Sequence, residues 1–153
     1  MCLLNRNLFQ FLHNIPFENI PKTFYDAVLC AHRLAVKFLW IDSLCIIQDS
    51  IKDWAEQSAF MTIIYSNSFL NLAADVSRNS SEGLFRSPSP TDPSPRCLKL
   101  GSQSIGFFSY HFVNVDYWDT EIRDSILNSR AWVFQETMLA PCTLYFGSSE
   151  IFW

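Results

Sequence analysis

Apolar residues change period several times along the chain. Phe24, Ala27, Val28, Ala31, Leu34 and Ala35 recur at i, i+3, i+4 and i+7, the spacing of one helix face. Thr23 stands where that helix begins and Asp26 lies three residues on, a pairing that predicts a cap. Residues 38–41 then run four apolar positions without alternation, which predicts a strand buried on both faces of a parallel sheet. The run breaks at Asp42-Ser43 and resumes through Leu44-Cys45-Ile46-Ile47 to Gln48-Asp49. A second helical period covers residues 52–65, with Trp54, Ser58, Met61 and Tyr65 on one face. Ser50 with Asp53 predicts its cap, and Asn67, tolerant of the left-handed conformation, predicts its end. Residues 69–74 read as another strand. Helix, strand, helix, strand in this order argues for right-handed crossovers.

Beyond Ser77 the pattern loosens. Residues 86–96 form a Pro- and Ser-rich stretch, with Pro88, Pro90, Pro93 and Pro95, that predicts an exposed internal loop. Pro90 and Pro93 have Pro-x-x-Pro spacing, a match too frequent by chance to be read as a recognition motif. Residues 97–115 hold short β-like runs at 105–108 and 111–113 whose pairing the pattern does not decide. Residues 127–139 predict a helix capped by Asn128 or Ser129 and ended by Pro141. Residues 143–146 and 150–153 flank Gly147-Ser148-Ser149 and predict a terminal β-hairpin. At the other end, residues 1–14 leave a helical turn and a short strand equally open, and Pro16 and Pro21 bracket an extended approach.

Composition narrows the class. With 153 residues, 49% hydrophobic and 17% charged, the chain suits one folded core. A formal net charge of -4 and a pI near 5.2 give no electrostatic footprint for nucleic acid. Cys2, Cys30, Cys45, Cys97 and Cys142 are odd in number and contain no C-x-x-C pair, so they predict buried thiols of a reducing compartment, neither a disulfide framework nor a zinc site. His13, His32 and His111 lack metal-binding spacing, and no metal is expected. No stretch reaches the length of a membrane span, so a cytoplasmic protein is the expectation.

One residue stands out chemically before any comparison. Asp42 ends the predicted strand of residues 38–41, and ligands of open α/β sheets gather at strand carboxyl ends. The competing reading is a carboxylate that caps the next turn through backbone N–H groups. Trp40, Trp54, Met61 and Tyr65 read as core, since aromatic stripes at helical spacing bury area before they bind anything.

Five blocks of the chain resemble the fungal heterokaryon incompatibility (HET) domain, in family order. They are Ile20-Pro21-Lys22-Thr23-Phe24 with Asp26-Ala27; Leu39-Trp40-Ile41-Asp42-Ser43-Leu44-Cys45-Ile46-Ile47-Gln48-Asp49; Trp54 with Met61 and Ile64-Tyr65-Ser66-Asn67; Gly83-Leu84-Phe85; and Leu127-Asn128 with Arg130, Trp132, Phe134-Gln135-Glu136 and Leu139. HET domains normally open with a strand reading roughly Tyr-x-x-Leu-Ser-Tyr-x-Trp-Gly, and residues 1–19 hold nothing like it. Ala131 and Cys142 stand where the family often has Gly and Arg. The expectation is therefore an N-terminal segment, 1–14, followed by a partial HET domain, 15–153. Its fold is α/β, with an incomplete, mainly parallel, flavodoxin/TIR-like sheet flanked by helices.

The resemblance implies a role in fungal nonself recognition, in which a HET domain triggers cell death through protein partners, with self-association one route. A more distant likeness, between HET domains and Toll/interleukin-receptor (TIR) domains, implies NAD as a substrate and no bound cofactor. TIR domains that hydrolyse NAD often carry Trp followed four residues later by Glu on a helix, as Trp132 and Glu136 do here. That likeness makes Glu136 the catalytic candidate, with Trp132 and Asp42 as ligand-binding candidates. In a helix, the spacing puts indole and carboxylate on one face. The competing readings are that Trp132 is core and Glu136 pairs with Arg130 or solvent. For the whole domain, the alternatives are a non-enzymatic homotypic module and an inactive truncated remnant.

Overall fold

The computed structural model describes residues 1–86, 97–102, 106–111, 116, 131–148 and 151–153. Among the described residues five α-helices run in chain order: α1 (Leu8–His13), α2 (Lys22–Arg33), α3 (Asp42–Cys45), α4 (Ile51–Ser66) and α5 (Ala131–Leu139). The strands are β1 (Asn71–Ala73), β2 (Cys97–Ser102), β3 (Gly106–His111), β4 (Thr143–Phe146) and β5 (Ile151–Phe152). The architecture is mixed α/β. β1 pairs with β4 in parallel and β4 with β5 in antiparallel, giving a three-stranded mixed sheet in the order β1-β4-β5. β2 and β3 form a separate antiparallel hairpin across residues 97–111, which settles the pairing there. The terminal hairpin falls where the alternating pattern put it. The Pro-rich segment 87–96 and the proposed caps Asn128 and Ser129 lie outside the described residues.

The parallel pair sets the core because successive strand residues face opposite sides. On one face Leu72, Leu144 and Phe146 meet Ala27 of α2 and Leu84, with Cys30, Leu39 and Ala74 packed around them. Phe85 stands edge-to-face with Phe146 at a centroid distance of 5.6 Å. On the other face Ala73 and Tyr145 pack with Phe152. The Tyr145 hydroxyl hydrogen-bonds Thr143 and, across to α5, Thr137, and burial first of all pushes its phenol pKa up.

The pattern 38–41 does not become a strand. Residues 36–41 join no strand ladder among the described residues, and Phe38 is 88% exposed. An apolar run specifies an extended chain, but a ladder also needs a neighbour with open backbone groups, and no described strand pairs with this one. The backbone pairing in this region goes to the N-terminal segment instead. Leu3 N–H donates to the Ser43 carbonyl at 2.7 Å, and its own carbonyl accepts from Gln48 N–H at 2.9 Å, burying Leu3. The Asn5 N–H and amide both reach Asp49 Oδ1, at 2.9 and 3.1 Å. Residues 1–5 thus strap the 43–49 loop, and the undecided stretch behind them is helical as α1. Between Pro16 and Pro21 the extended approach is interrupted by one 3-10 turn, Phe17–Asn19.

Helix ends also depart from the pattern. α4 starts as predicted: Ser50 Oγ accepts from Asp53 N–H at 3.2 Å. Asp53 carries its carboxylate further, to Ile47 N–H at 2.7 Å. It ends at Ser66 without a left-handed residue; Asn67 has φ -102° and its amide donates to the Ile63 carbonyl at 2.8 Å.

α2 is not capped by Thr23 and Asp26. Pro21 holds the cap position with no side-chain bond, as a first-turn proline permits. The two polar side chains are spent on a loop nearly 60 residues away in sequence. Thr23 Oγ1 accepts from Gly83 N–H at 3.1 Å, and Asp26 Oδ2 accepts from Leu84 N–H at 2.8 Å. Asp26 is 3% exposed and pairs with Lys22 at 2.7 Å, while the Lys22 side chain stays 52% exposed. Gly83 adopts φ +87°, and a Cβ there would stand 2.5 Å from both Asp26 Oδ2 and Lys22 Nζ. Position 83 therefore requires glycine twice over, for its left-handed backbone and for the closeness of the clamp.

These contacts rank three substitutions in a urea unfolding series. Asp26→Ala orphans a buried N–H and costs about 1–3 kcal/mol. Lys22→Met removes a half-exposed partner and costs less than about 1 kcal/mol. Gly83→Ala loses more than about 1 kcal/mol because the native conformation excludes it. Equal losses for Asp26→Ala and Lys22→Met would mean that the ion pair, not the backbone bond, holds the loop.

Candidate functional site

Against the core, α2, α3, α4 and α5 line a cleft of about 1150 Å³. Its floor and walls come from one face of α2, from the 36–43 segment, from α4 and the chain after it into β1, from Leu84 and from one edge of α5. Asp42 enters it from the first turn of α3. The helix's own cap position, Ile41, makes no side-chain bond, and the Asp42 carboxylate accepts the Trp40 indole N–H at 2.6 Å. Asp42 thus sits on a short helix after an unpaired extended segment, not on the end of a ladder strand. Its capping reading gives way to an indole contact. Gln48 braces the same turn, its amide donating to the Ile46 carbonyl at 3.0 Å.

α4 supplies Trp54, Ser58, Met61, Ile64 and Tyr65 to the cleft wall. This is the stripe predicted to be core. None of α4's residues is buried, and Trp54 is 52% exposed. The periodicity correctly put these side chains on one face. What it left open was whether that face meets protein or an opening, because burial depends on the neighbour and not on the helix.

α5 brings Val133, which is buried, and Glu136, one turn further along the same edge. Trp132 lies in α5 four residues before Glu136; its side chain falls outside the described residues. The Glu136 carboxylate accepts a hydrogen bond from the Tyr65 hydroxyl. Tyr65 lies within the field of both Asp42 and Glu136. Burial first, then these two carboxylates, pushes its phenol well above the usual tyrosine range of 10, so Tyr65 is a neutral donor at physiological pH.

Two of the three candidate residues, Asp42 and Glu136, therefore line one cleft and both act on Tyr65. Tyr65 itself escaped the pattern reading, since nothing in the local sequence separates a cleft tyrosine from a core one. Asp75 was also missed. It follows β1, is 1% exposed, and acts electrostatically on Tyr145 on the sheet face away from α2. Ser43 Oγ, beside Asp42 in the cleft lining, is buried without a hydrogen-bond partner among the described residues. Gln48, Asn67, Ser68 and Asn71 are among the other polar residues of the lining. What the arrangement supplies is a pair of carboxylates, a protonated phenol and accessible indole surface: groups able to steady a positive charge and a flat ring together.

A family model described as "Heterokaryon incompatibility protein (HET)" matches residues 6–136. The match takes in α1 to α4 and closes on Glu136. Comparisons with curated proteins and with solved structures give no match.

Burial of Tyr65, with two carboxylates acting on it, gives alkaline stability a definite sign. A phenol whose folded pKa is raised contributes stability in full below its unfolded value near 10, and loses it as pH rises from there toward the folded value. Tyr65→Phe should leave the melting temperature's pH dependence unchanged up to about pH 9 and flatten its fall above pH 10. Thermal melts across pH 7 to 11.5 measure this, and an unaltered alkaline limb would show that Tyr65 ionises as an ordinary surface tyrosine.

Proposed function

We infer from membership of the heterokaryon incompatibility family, to which this chain belongs, that it serves heterokaryon incompatibility. We further propose that in fungal nonself recognition it triggers cell death by hydrolysing NAD in the cleft lined by α2, α3, α4 and α5. The observation that carries the proposal is that Asp42 and Glu136, 94 positions apart (136 − 42), line one cleft and both act on Tyr65. The finer architecture belongs to the same proposal. A parallel β1–β4 pair with α2 packed on one face supports a flavodoxin/TIR-like arrangement.

The chemistry follows from charge. Breaking the bond between the ribose C1′ and the pyridinium nitrogen sends the bonding pair to nitrogen, so neutral nicotinamide leaves. The sugar becomes oxocarbenium-like. Glu136, oriented by the Tyr65 hydroxyl, places negative charge where that positive charge develops, and pre-oriented charge of this kind lowers the barrier without reorganisation. Water then adds to C1′ and gives up a proton, yielding ADP-ribose. Asp42, whose carboxylate accepts the Trp40 indole N–H, accepts from ribose hydroxyls in this reading. Trp132 precedes Glu136 by one turn in the role of a stacking surface.

One observation favours a second reading, a non-enzymatic homotypic module acting on protein partners. Phe60 and Ile63 are exposed three residues apart on α4, and Phe9 and Leu12 are exposed three apart on α1. Apolar pairs on helix faces are what assembly interfaces use. Residence in the cytoplasm remains the expectation under both readings; among the described residues no helix is long and apolar enough to cross a membrane.

Nicotinamide release from NAD by the purified protein separates the two. Glu136→Gln should lower kcat by about 100-fold or more with the fold intact. Asp42→Asn should lower kcat/KM by roughly tenfold, mostly through KM. A folded protein that releases nothing while sedimenting as a concentration-dependent oligomer, dispersed by Ile63→Asp, would favour the homotypic module.

A further inference from the structure

Two stretches of backbone present unpaired donors and acceptors to the same cleft. In the parallel ladder of β1 with β4, the Asn71 N–H donates to the Cys142 carbonyl at 2.9 Å. Backbone groups of successive strand residues turn to opposite edges, so the N–H and carbonyl of Leu72 turn away from β4. Neither is hydrogen-bonded among the described residues, and Leu72 lines the cleft. The 36–41 segment lines it too. Ile41 is extended, with φ -134° and ψ 114°, and no backbone N–H or carbonyl of residues 37–40 is hydrogen-bonded among the described residues. Leu39 and Leu72 pack against one core cluster, that of Ala27, Leu84 and Phe146, so the two open stretches lie against a common layer of the fold.

Open rows of backbone donors and acceptors are matched along their length by a polypeptide strand, which carries the same groups at the same repeat. The dimensions agree. A strand between neighbours takes about 3.3 Å of length, 4.8 Å of width and 10 Å of depth per residue, so roughly seven residues match the 1150 Å³ of the cleft. Phe24 and Ala31 of α2, Met61 and Ile64 of α4, and Val133 of α5 line it with apolar surface. A strand enclosed in this way carries a continuous apolar run and not an alternating one. Among the described residues this chain has no such run to spare. Residues 143–146 are β4, and residues 38–41 are themselves a wall of the cleft. The segment that fits is therefore one from a different protein.

We propose that the cleft is a docking slot for an extended apolar segment, five to seven residues long, of a protein partner, seated between β1 and residues 37–40 and paired with both. The segment adds a strand to the sheet beside β1. This goes beyond both readings given above. It rests on backbone edges and asks nothing of the carboxylates of Asp42 and Glu136, and it uses a different surface from the exposed apolar pairs on α1 and α4.

The probe is the acetylated, amidated nonapeptide Lys-Lys-Val-Ile-Val-Leu-Val-Lys-Lys, titrated into the purified protein by calorimetry below the concentration at which the peptide associates with itself. Two N-methylated forms isolate its edges. Methyl groups on the amides of the three valines remove the donors of one edge; on those of isoleucine and leucine they remove the donors of the other. The parent should bind, and each methylated form should bind at least tenfold more weakly. Hydrogen exchange at the Leu72 amide, and at alternate amides of residues 37–40, should slow about tenfold or more with the parent bound. Every change is made in the peptide, so the protein's fold is the same in each arm. A loss confined to one methylated form would mean addition to a single edge and would overturn the slot. Equal binding of all three peptides, protection at β5 in place of Leu72, or no binding by the parent would overturn it as well. Sedimentation of the protein alone as a dimer that the peptide disperses would give the slot to a second copy and overturn the choice of partner.

Discussion

A single buried carboxylate ties the two halves of the described structure together. Asp26 points from α2 to the backbone at Leu84, and that bond fixes Leu84 and Phe85 where they can close over Phe146. Without it the loop would have to find another acceptor for a buried N–H, a loss comparable to that of the bond itself. Thr23 and Gly83 belong to the same clamp, one as second acceptor and the other as the residue without a side chain to obstruct it. The core on the α2 face thus depends on polar geometry as much as on apolar area. Three buried residues would make a small core on their own.

That dependence explains how an open cleft persists next to the core. α2, the 83–85 loop and β4 hold one another through Ala27, Leu84 and Phe146, and α4 turns its aromatic face to the opening. The strap of residues 1–5 holds the opposite rim by engaging backbone groups of Ser43 and Gln48. Asp42 is therefore positioned from two directions, by the strap behind its loop and by the Trp40 indole beside its carboxylate. Rigid support around exposed charge is what a binding site needs if its groups are not to relax toward solvent.

The sequence was legible where structure is local. The period of residues 52–65, the Ser50–Asp53 cap and the terminal hairpin are all decided within a few residues of themselves, and the structure has them. The blocks that resemble the HET family were legible too, and the family match covers most of them. What failed to show was pairing at a distance. Residues 38–41 look like a buried strand, yet a strand exists only with a neighbour, and the run cannot announce one. Thr23 and Asp26 have cap spacing, but their partners sit at 83 and 84. Tyr65 reads as core for the same reason, since the opening it faces is made by α3 and α5. Asp42 and Glu136 were nameable as candidates, whereas their common wall was a fact of folding.

The parallel pairing of Asn71 with Thr143 has a kinetic and an evolutionary side. It joins positions 72 apart (143 − 71), so the sheet is a non-local structure that forms only after a large loop closes. Non-local closure slows folding more than it weakens the folded state. Because closure entropy grows only with the logarithm of length, doubling the intervening chain costs about 0.6 kcal/mol. The span between β1 and β4 can therefore lengthen or shorten among related proteins with little loss of stability, provided its two ends still deliver Asp26's loop on one side and Glu136's helix on the other.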